Sequence, residues 1–254
     1  MYSLLARLAE SKTVPEVWEQ ATKYFSGLGF QRCNYGFTRF HGPRTAGDPD
    51  DALFLTTCDA AYAQSYFNNG FYARTPAFRW AQANTGACTW TWVRDAYQAG
   101  KLSPEEAETV RKNAAMGILA GITVSFPETS ARARGALGLI ANPGRTAEDV
   151  DAQFAEKSNE LLAVAHMMHL RIIQLPLPVH RRTLTDRQRE ALEWVADGKT
   201  TQDVALLMGV SAAMVEKHLR LARESLVVDT TTQAVAKAAL MNLIFQRNQP
   251  TAMV

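Results

Sequence analysis

At 254 residues, with 27 Lys and Arg against 25 Asp and Glu, the chain carries a formal net charge of only +2. A hydrophobic share of 47% and a charged share of 20% fit a folded globular protein and exclude a disordered chain. No apolar run approaches the roughly 20 residues that span a bilayer, and the length suits two modest domains.

The chain opens MYSLLARLAESK, with neither a basic segment leading into a long apolar core nor a cleavage site, and reads as a helix of a cytoplasmic protein. Thr13-Val14-Pro15-Glu16 spells a helix start, with an N-cap, an early Pro and an acid three residues after the cap. Val17, Trp18, Ala21, Tyr24 and Phe25 supply its apolar face, and Gly27 and Gly29 end it. Residues 33–40 alternate, are rich in aromatics and predict a strand; residues 41–51, with two Pro, two Gly and three Asp, predict a loop. Residues 52–58 predict a second strand, which closes a hairpin.

Between 60 and 84 two short helices are expected, divided at Asn69-Gly70 and restarting at Thr75-Pro76. Tyr62, Tyr66, Phe67, Phe71, Tyr72, Phe78 and Trp80 crowd this stretch, with Trp90 and Trp92 soon after, as in a core or a pocket lining. Ser103-Pro104-Glu105-Glu106 starts another helix, running to about Met116, before strands at 121–126 and 135–141. Thr146 caps a long helix from Ala147 to about Gln174, on which Val150, Phe154, Leu161, Leu162, Val164, Ala165, Met168, Leu170 and Ile172 form a wide apolar face. Pro176 and Pro178 break it. The first 174 residues therefore predict an α+β domain, an α/β/α sandwich around an antiparallel sheet.

Little in this half points to catalysis: it has no G-x-S-x-G, no H-E-x-x-H and no G-x-G-x-x-G leading into a helix. Cys33, Cys58 and Cys88 are odd in number and form no C-x-x-C, so small buried thiols are expected and neither a disulfide nor a zinc site. His166 and His169 stand at i, i+3 with no neighbouring carboxylate or Cys in sequence to complete a metal set. The three Asp of the 41–51 loop lack the parallel α/β setting of a phosphorylated receiver domain. No enzyme and no cofactor is expected.

After a short linker at 175–182, residues 183–247 predict a small all-α domain. Thr185 and Gln188 form a capping box before Ala191, Leu192, Trp194 and Val195, and Gly198 stops that helix. A second helix from about Thr201 carries Val204, Ala205, Leu207 and Met208 to the stop at Gly209. Ser211 caps a third, with Val215, Leu219 and Ala222 inward and Glu216, Lys217, Arg220 and Arg223 outward. Two helices about a short Gly turn are also a plain packing unit, but this patterning makes a helix-turn-helix, whose second helix enters the major groove. Base readout is expected from Ala212, Ala213, Glu216, Lys217 and Arg220. Lys199, Thr200, Thr201 and the Ser211 cap sit at helix starts, where a phosphate can be held. Residues 181–247 hold ten Arg and Lys against eight Asp and Glu, which is weakly basic, so a homodimer is expected to raise DNA affinity. The long 147–174 helix would supply its seam.

Leu184-Thr185, Leu192, Gly198-Lys199-Thr200, Val204-Ala205, Val210-Ser211, Val215, His218, Leu226, Val228 and Gln233-Ala234-Val235 resemble the C-terminal DNA-binding domain of LuxR-type regulators. Gln188, Met214, Ser225 and Thr231 depart from that pattern, where the family usually has Glu, Thr, Lys and Arg. More faintly, residues 10–174 resemble the autoinducer-binding domain of the LuxR-type quorum-sensing regulators, in which an acyl-homoserine lactone lies between sheet and helices. The resemblance puts Tyr66, Pro76, Trp90 and Gly121 at matching pocket positions. It puts Tyr62 where the family has Trp, Thr75 where it has Asp, Cys58 where many members have Tyr, and Gly138 in place of a strand Ser or Thr.

With Phe78, these residues would enclose an apolar cavity whose polar floor is Cys58 and Thr75. Three readings stay open: an altered ligand, such as an aryl or pyrone-like molecule stacking on Trp90 and Tyr62; an ordinary acyl-homoserine lactone; or no ligand. The resemblance implies a cytoplasmic, small-molecule-sensing transcription regulator that binds DNA as a homodimer, away from membranes. The alternative is a ligand-independent partner that heterodimerises with a related regulator and inhibits it.

Overall fold

The computed structural model describes residues 1–41, 51–177 and 184–245. The chain divides into two compact units, Met1–Ile173 and Gln174–Val254. The first is built on a five-stranded sheet of β1 (Arg32–Thr38), β2 (Leu53–Thr56), β3 (Gly86–Thr89), β4 (Gly121–Ser125) and β5 (Arg134–Ile140), in the order β2-β1-β5-β4-β3. All neighbours are antiparallel. The 33–40 and 52–58 strands form the expected hairpin. Most of its connection (residues 42–50) lies outside the described residues.

Helices cover both faces of the sheet, as the patterning required. On one lie α1 (Tyr2–Glu10), α2 (Val14–Gly27) and the 28-residue α7 (Ala147–Gln174). Thr13 caps α2 through its side chain, with Pro in the first turn, and Trp18 packs its ring against Tyr35 of β1. On the other face lie α3 (Ala60–Ala63), continued by a π turn over Gln64–Asn68, a 3-10 turn at Phe71–Arg74, and α4 (Pro76–Ala83). Two elements were not anticipated: the edge strand β3 and α5 (Thr91–Gln98), which has no side-chain cap at its start. Ser103 and Glu106 close a capping box on α6 (Pro104–Ala115), as their spacing requires.

Not every apolar residue of the long helix turns inward. Val150, Leu161, Val164, Ala165, Met168 and Ile172 are buried, but Leu170 is exposed and the ring of His169 takes a core position instead. His169 stacks on Phe126 and takes or gives a 2.9 Å hydrogen bond with the Tyr35 hydroxyl. Its Nε2 lies 2.9 Å from Glu128 Oε1, close enough for an ion pair but out of line for a hydrogen bond. The fold thus supplies the carboxylate that the sequence around His169 lacks. Even so, no group of three or more metal-ligating side chains forms among the described residues.

The C-terminal unit packs α8 (Asp186–Ala196), α9 (Thr201–Met208), α10 (Ala212–Leu226) and α11 (Thr231–Leu240) around Leu192, Val204, Met208, Val215, Leu219, Ala222, Leu226 and Ala238. Residues 175–177 do not act as free linker: Leu175 and Leu177 are buried and hydrogen-bond to Asn242 and Met241. The rest of the expected linker, 178–182, lies outside the described residues. Leu207 faces solvent, because α9 is only two turns long and the Val204, Ala205 and Met208 stripe alone reaches the core. One further expectation is corrected. Arg223 turns sideways, its Nη1 donating to Thr231 Oγ1 at 2.9 Å, so it links α10 to α11.

Candidate ligand pocket and DNA-binding surface

Antiparallel pairing brings five residues from five strands into one row on the sheet face that carries α3 and α4: Thr56, Asn34, Gly138, Thr123 and Cys88. Directly paired residues share a face, so this row is a polar strip laid across an otherwise apolar floor. Its polar groups are already spoken for. Thr56 Oγ1 donates to Asn34 Oδ1 at 2.7 Å, Asn34 Nδ2 donates to the Tyr62 hydroxyl at 3.0 Å, and the Trp90 indole N–H donates to Thr123 Oγ1 at 2.8 Å. Asn34, Thr56 and Thr123 were not singled out from sequence. The one available signal was the alternation of residues 33–40, which sets Asn34, Gly36 and Thr38 on one face.

Above the strip lies a cavity of about 130 Å³. Phe54, Tyr66, Phe67, Tyr72, Phe78 and Trp90 wall it, and Gly36, Ala136 and Gly138 make a low floor. Of the expected pocket residues, Tyr66, Phe78, Trp90 and Gly138 line this space. Tyr62 stands behind it, its ring stacked on Tyr66 at 5.1 Å between centroids, and Cys58 lies beside it with its sulfur 3.9 Å from Asn34 Oδ1. Thr75 is buried and spends its hydroxyl locally, donating to the Tyr72 carbonyl at 2.8 Å and accepting from the Phe78 N–H at 3.2 Å as the cap of α4. Pro76 opens that helix.

Gly121 underlies Trp90. A Cβ there would stand 2.4 Å from the Leu139 carbonyl oxygen and 2.9 Å from two carbons of the indole, so only bare backbone lets the ring lie down on β4. Gly138 differs: a Cβ there would meet nothing closer than 3.8 Å, so this glycine leaves open space above the strip.

Burial dominates the protonation chemistry of this region. It pushes the Tyr66 phenol up to about 12, opposed by its interaction with the Thr75 side chain, although the ring still opens onto the cavity. It raises Tyr62 well above the ordinary tyrosine range, opposed by the bond from Asn34. Cys33 is pushed up to about 12 and Cys88 to about 11, again chiefly by burial. These groups stay neutral at physiological pH and offer no thiolate nucleophile. Only Cys33 is fully buried, whereas Cys58 and Cys88 are half-buried; all three are free.

In the other unit, Gly209 takes φ +65° to end α9, and Ser211 caps α10 by accepting from the Met214 N–H. Ala213, Glu216, Lys217 and Arg220 are exposed along one side of α10, while Ala212 is half-buried against the core. Two of them already have partners: Glu216 Oε1 accepts from Thr201 Oγ1 at 2.9 Å, and Arg220 pairs with Glu224 one turn on. At the start of α9 the Asp203 carboxylate accepts from the Thr200 N–H and hydroxyl, and those bonds hold its pKa below the usual range. Lys199 is exposed beside it. Gln188 answers Thr185 in a complete capping box, so Gln serves there as Glu would.

An aromatic-walled cavity on one unit and a helix-turn-helix on the other define a sensor-type transcription regulator. The autoinducer binding domain model matches residues 13–172, and the sigma-70 region 4 model matches residues 182–226. The chain belongs to the LuxR-type quorum-sensing transcriptional regulators, with an autoinducer-binding domain followed by a helix-turn-helix domain. The transcriptional activator protein SolR of Ralstonia nicotianae is 26% identical over 235 residues, covering 90% of this chain and 92% of SolR. The crystal structure of Escherichia coli SdiA has a similar fold, at a TM-score of 0.55 and 19% identity, over 96% of this chain and 98% of that one. So does SdiA in complex with octanoyl-rac-glycerol, at a TM-score of 0.50 and 18% identity, over 97% and 96%.

Proposed function

We propose that a small, largely apolar molecule binding over the Asn34–Gly138–Thr123 strip sets the DNA-binding activity of a cytoplasmic homodimer. The observation that carries this reading is the cavity itself, which Tyr66, Phe78, Trp90 and Gly138 line on the sheet face where the family resemblance expects a ligand. The ligand differs from an ordinary acyl-homoserine lactone. Thr75 holds a neutral hydroxyl, spent on a helix cap, at the position where the resemblance expects an anionic acceptor for the lactone amide. That octanoyl-rac-glycerol is bound by SdiA, on a similar fold, is in keeping with a non-lactone occupant. Ala213, Glu216, Lys217 and Arg220 read bases, and Lys199, Thr200 and Thr201 approach the phosphate backbone. No helix among the described residues is long and apolar enough to cross a membrane.

Native mass spectrometry of the purified full chain, with fluorescence anisotropy on promoter fragments, tests the proposal. A retained molecule well below the mass of a peptide, with sequence-selective binding that follows its addition and removal, is the expected result. Selective DNA binding indifferent to every added molecule would refute the sensing half. A monomer in sedimentation at micromolar concentration, with DNA present, would refute the homodimer.

A further inference from the structure

The cavity is not apolar throughout: Arg134 lines its far end. Thr38 pairs with Arg134, Gly36 with Ala136 and Asn34 with Gly138, so Arg134 stands four residues along β5 from the polar strip, on the same face. At about 3.4 Å per residue that separation is about 14 Å. His41 lines the same end. Burial, and then the neighbouring Arg134 charge, hold the His41 pKa below its ordinary value, so the imidazole is neutral at pH 7. Arg134 is therefore the one charged side chain among the described residues of the lining, which include no Asp or Glu. It is half-buried. Its Nε is shielded from solvent and has no hydrogen-bond partner, and its Nη1 makes a single 3.4 Å bond to the Ala133 carbonyl oxygen. A guanidinium presents five donors in a planar fork that matches a carboxylate, so most of its capacity is unused.

At the opposite end the donors are consumed internally, as the Asn34–Tyr62 and Trp90–Thr123 bonds show. A ligand thus finds an aromatic-walled middle, a strip whose amide and indole donors are bonded internally, and one open cation about 14 Å along the strand. The whole cavity has room for little more than one ring, since an engineered apolar cavity of about 150 Å³ holds benzene and this one measures about 130 Å³.

We infer that the ligand is a compact aryl or acyl carboxylate: its apolar body lies against Trp90, Tyr66 and Phe78, and its carboxylate is held by Arg134. This deepens the sensing proposal and rests on it. It names the charge of the ligand, which nothing in the aromatic lining decides.

Three probes test it on the full chain by isothermal titration: 3-phenylpropionate, its uncharged amide 3-phenylpropionamide, and N-octanoyl homoserine lactone. The acid and the amide share a shape and differ in charge, and a charge-assisted bond to a guanidinium is worth roughly ten-fold or more in affinity. The acid should bind the wild type at least about ten-fold tighter than the amide. In Arg134→Met, which keeps the apolar stem, the two should come within about two-fold of each other. A wild type that binds the amide as tightly as the acid overturns the inference, and so does a preference that survives in Arg134→Met. Binding of the lactone alone, equal in both proteins, overturns it together with the reading that the ligand is not an ordinary lactone, while leaving ligand sensing itself standing. Failure of all three probes to bind overturns both. Melting of Arg134→Met within about 2 °C of the wild type would show that the exchange has not disturbed β5.

Discussion

Gly121→Ala tests whether the Trp90 wall depends on bare backbone beneath it. The added methyl would stand 2.4 Å from the Leu139 carbonyl oxygen and 2.9 Å from Cε3 and Cζ3 of the indole. That carbonyl belongs to β5, which is paired on both sides, so β4 must shift at residue 121 to clear it and the ring must lift as well. Lifting it strains the 2.8 Å bond from the indole N–H to Thr123 and the 2.9 Å bond from the Trp90 N–H to the Gly121 carbonyl. Overpacking a filled core costs about 1–3 kcal/mol, and a weakened buried hydrogen bond about 1 more. A total of about 2–4 kcal/mol corresponds to a fall in Tm of roughly 5–15 °C for a domain of this size. Trp18, Trp80, Trp90 and Trp92 lie in this unit, so thermal melts followed by tryptophan fluorescence report on it. Gly138→Ala is the control: its Cβ meets only ordinary contacts at 3.8 and 4.0 Å, and stability should change by less than about 0.5 kcal/mol. If Gly121→Ala melts within about 1 °C of the wild type, or Gly138→Ala loses as much as it does, the reading of the floor is wrong.

Three further outcomes follow from the same geometry. Thr123→Val keeps the shape but strips the acceptor from a buried indole N–H, so urea unfolding should show a loss of about 1–3 kcal/mol that Thr123→Ser largely restores; no loss would mean that the bond is unimportant. Thr75→Asp keeps the cap of α4, since Asp caps helices as well as Thr, and supplies an anionic acceptor; lactone affinity by thermal shift should rise about 10-fold, and an unchanged shift would remove Thr75 from the explanation of ligand choice. Arg220→Ala should cost about 1–3 kcal/mol at one base position in competition anisotropy, while uniform weakening across all sequences would make Arg220 a phosphate contact.

What the sequence disclosed and what it hid divide along a physical line. Helix starts are written locally: Thr13, Ser103, Thr185 and Ser211 each accept from a backbone N–H within the next turn, so a four-residue window suffices. The hairpin of β1 and β2 is nearly as local. Edge strand β3 has four residues, Gly-Ala-Cys-Thr, too short to alternate, and α5 begins without a cap, so neither announced itself. The polar strip was hidden for a different reason. Asn34, Gly138 and Thr123 are brought together by the register of strands about a hundred residues apart, and alternation tells a face but not a pairing. The family resemblance supplied Tyr66, Trp90 and Gly121, yet it could not say that the Tyr62 hydroxyl and the Thr75 hydroxyl would be taken up by their own neighbours.

Those internal bonds change what the departures from the family pattern mean. Removing one anchor from a polar pocket normally leaves its partners buried and unpaired, at about 1–3 kcal/mol each. Here the replaced positions answer one another instead. Tyr62 accepts from Asn34, Asn34 accepts from Thr56, and Thr75 closes the start of α4. Gly138, which brings no side chain, leaves the strip uncovered. The head of the pocket therefore bonds largely to itself, and on the proposed reading it would give little preference to a ligand rich in amide donors. Discrimination moves to whatever in the cavity remains unsatisfied. Among the charged groups of the described lining that is the guanidinium of Arg134, so on the proposed reading selectivity for charge at the far end, and for shape along the aromatic walls, would replace the amide readout that an anionic residue at position 75 would have provided.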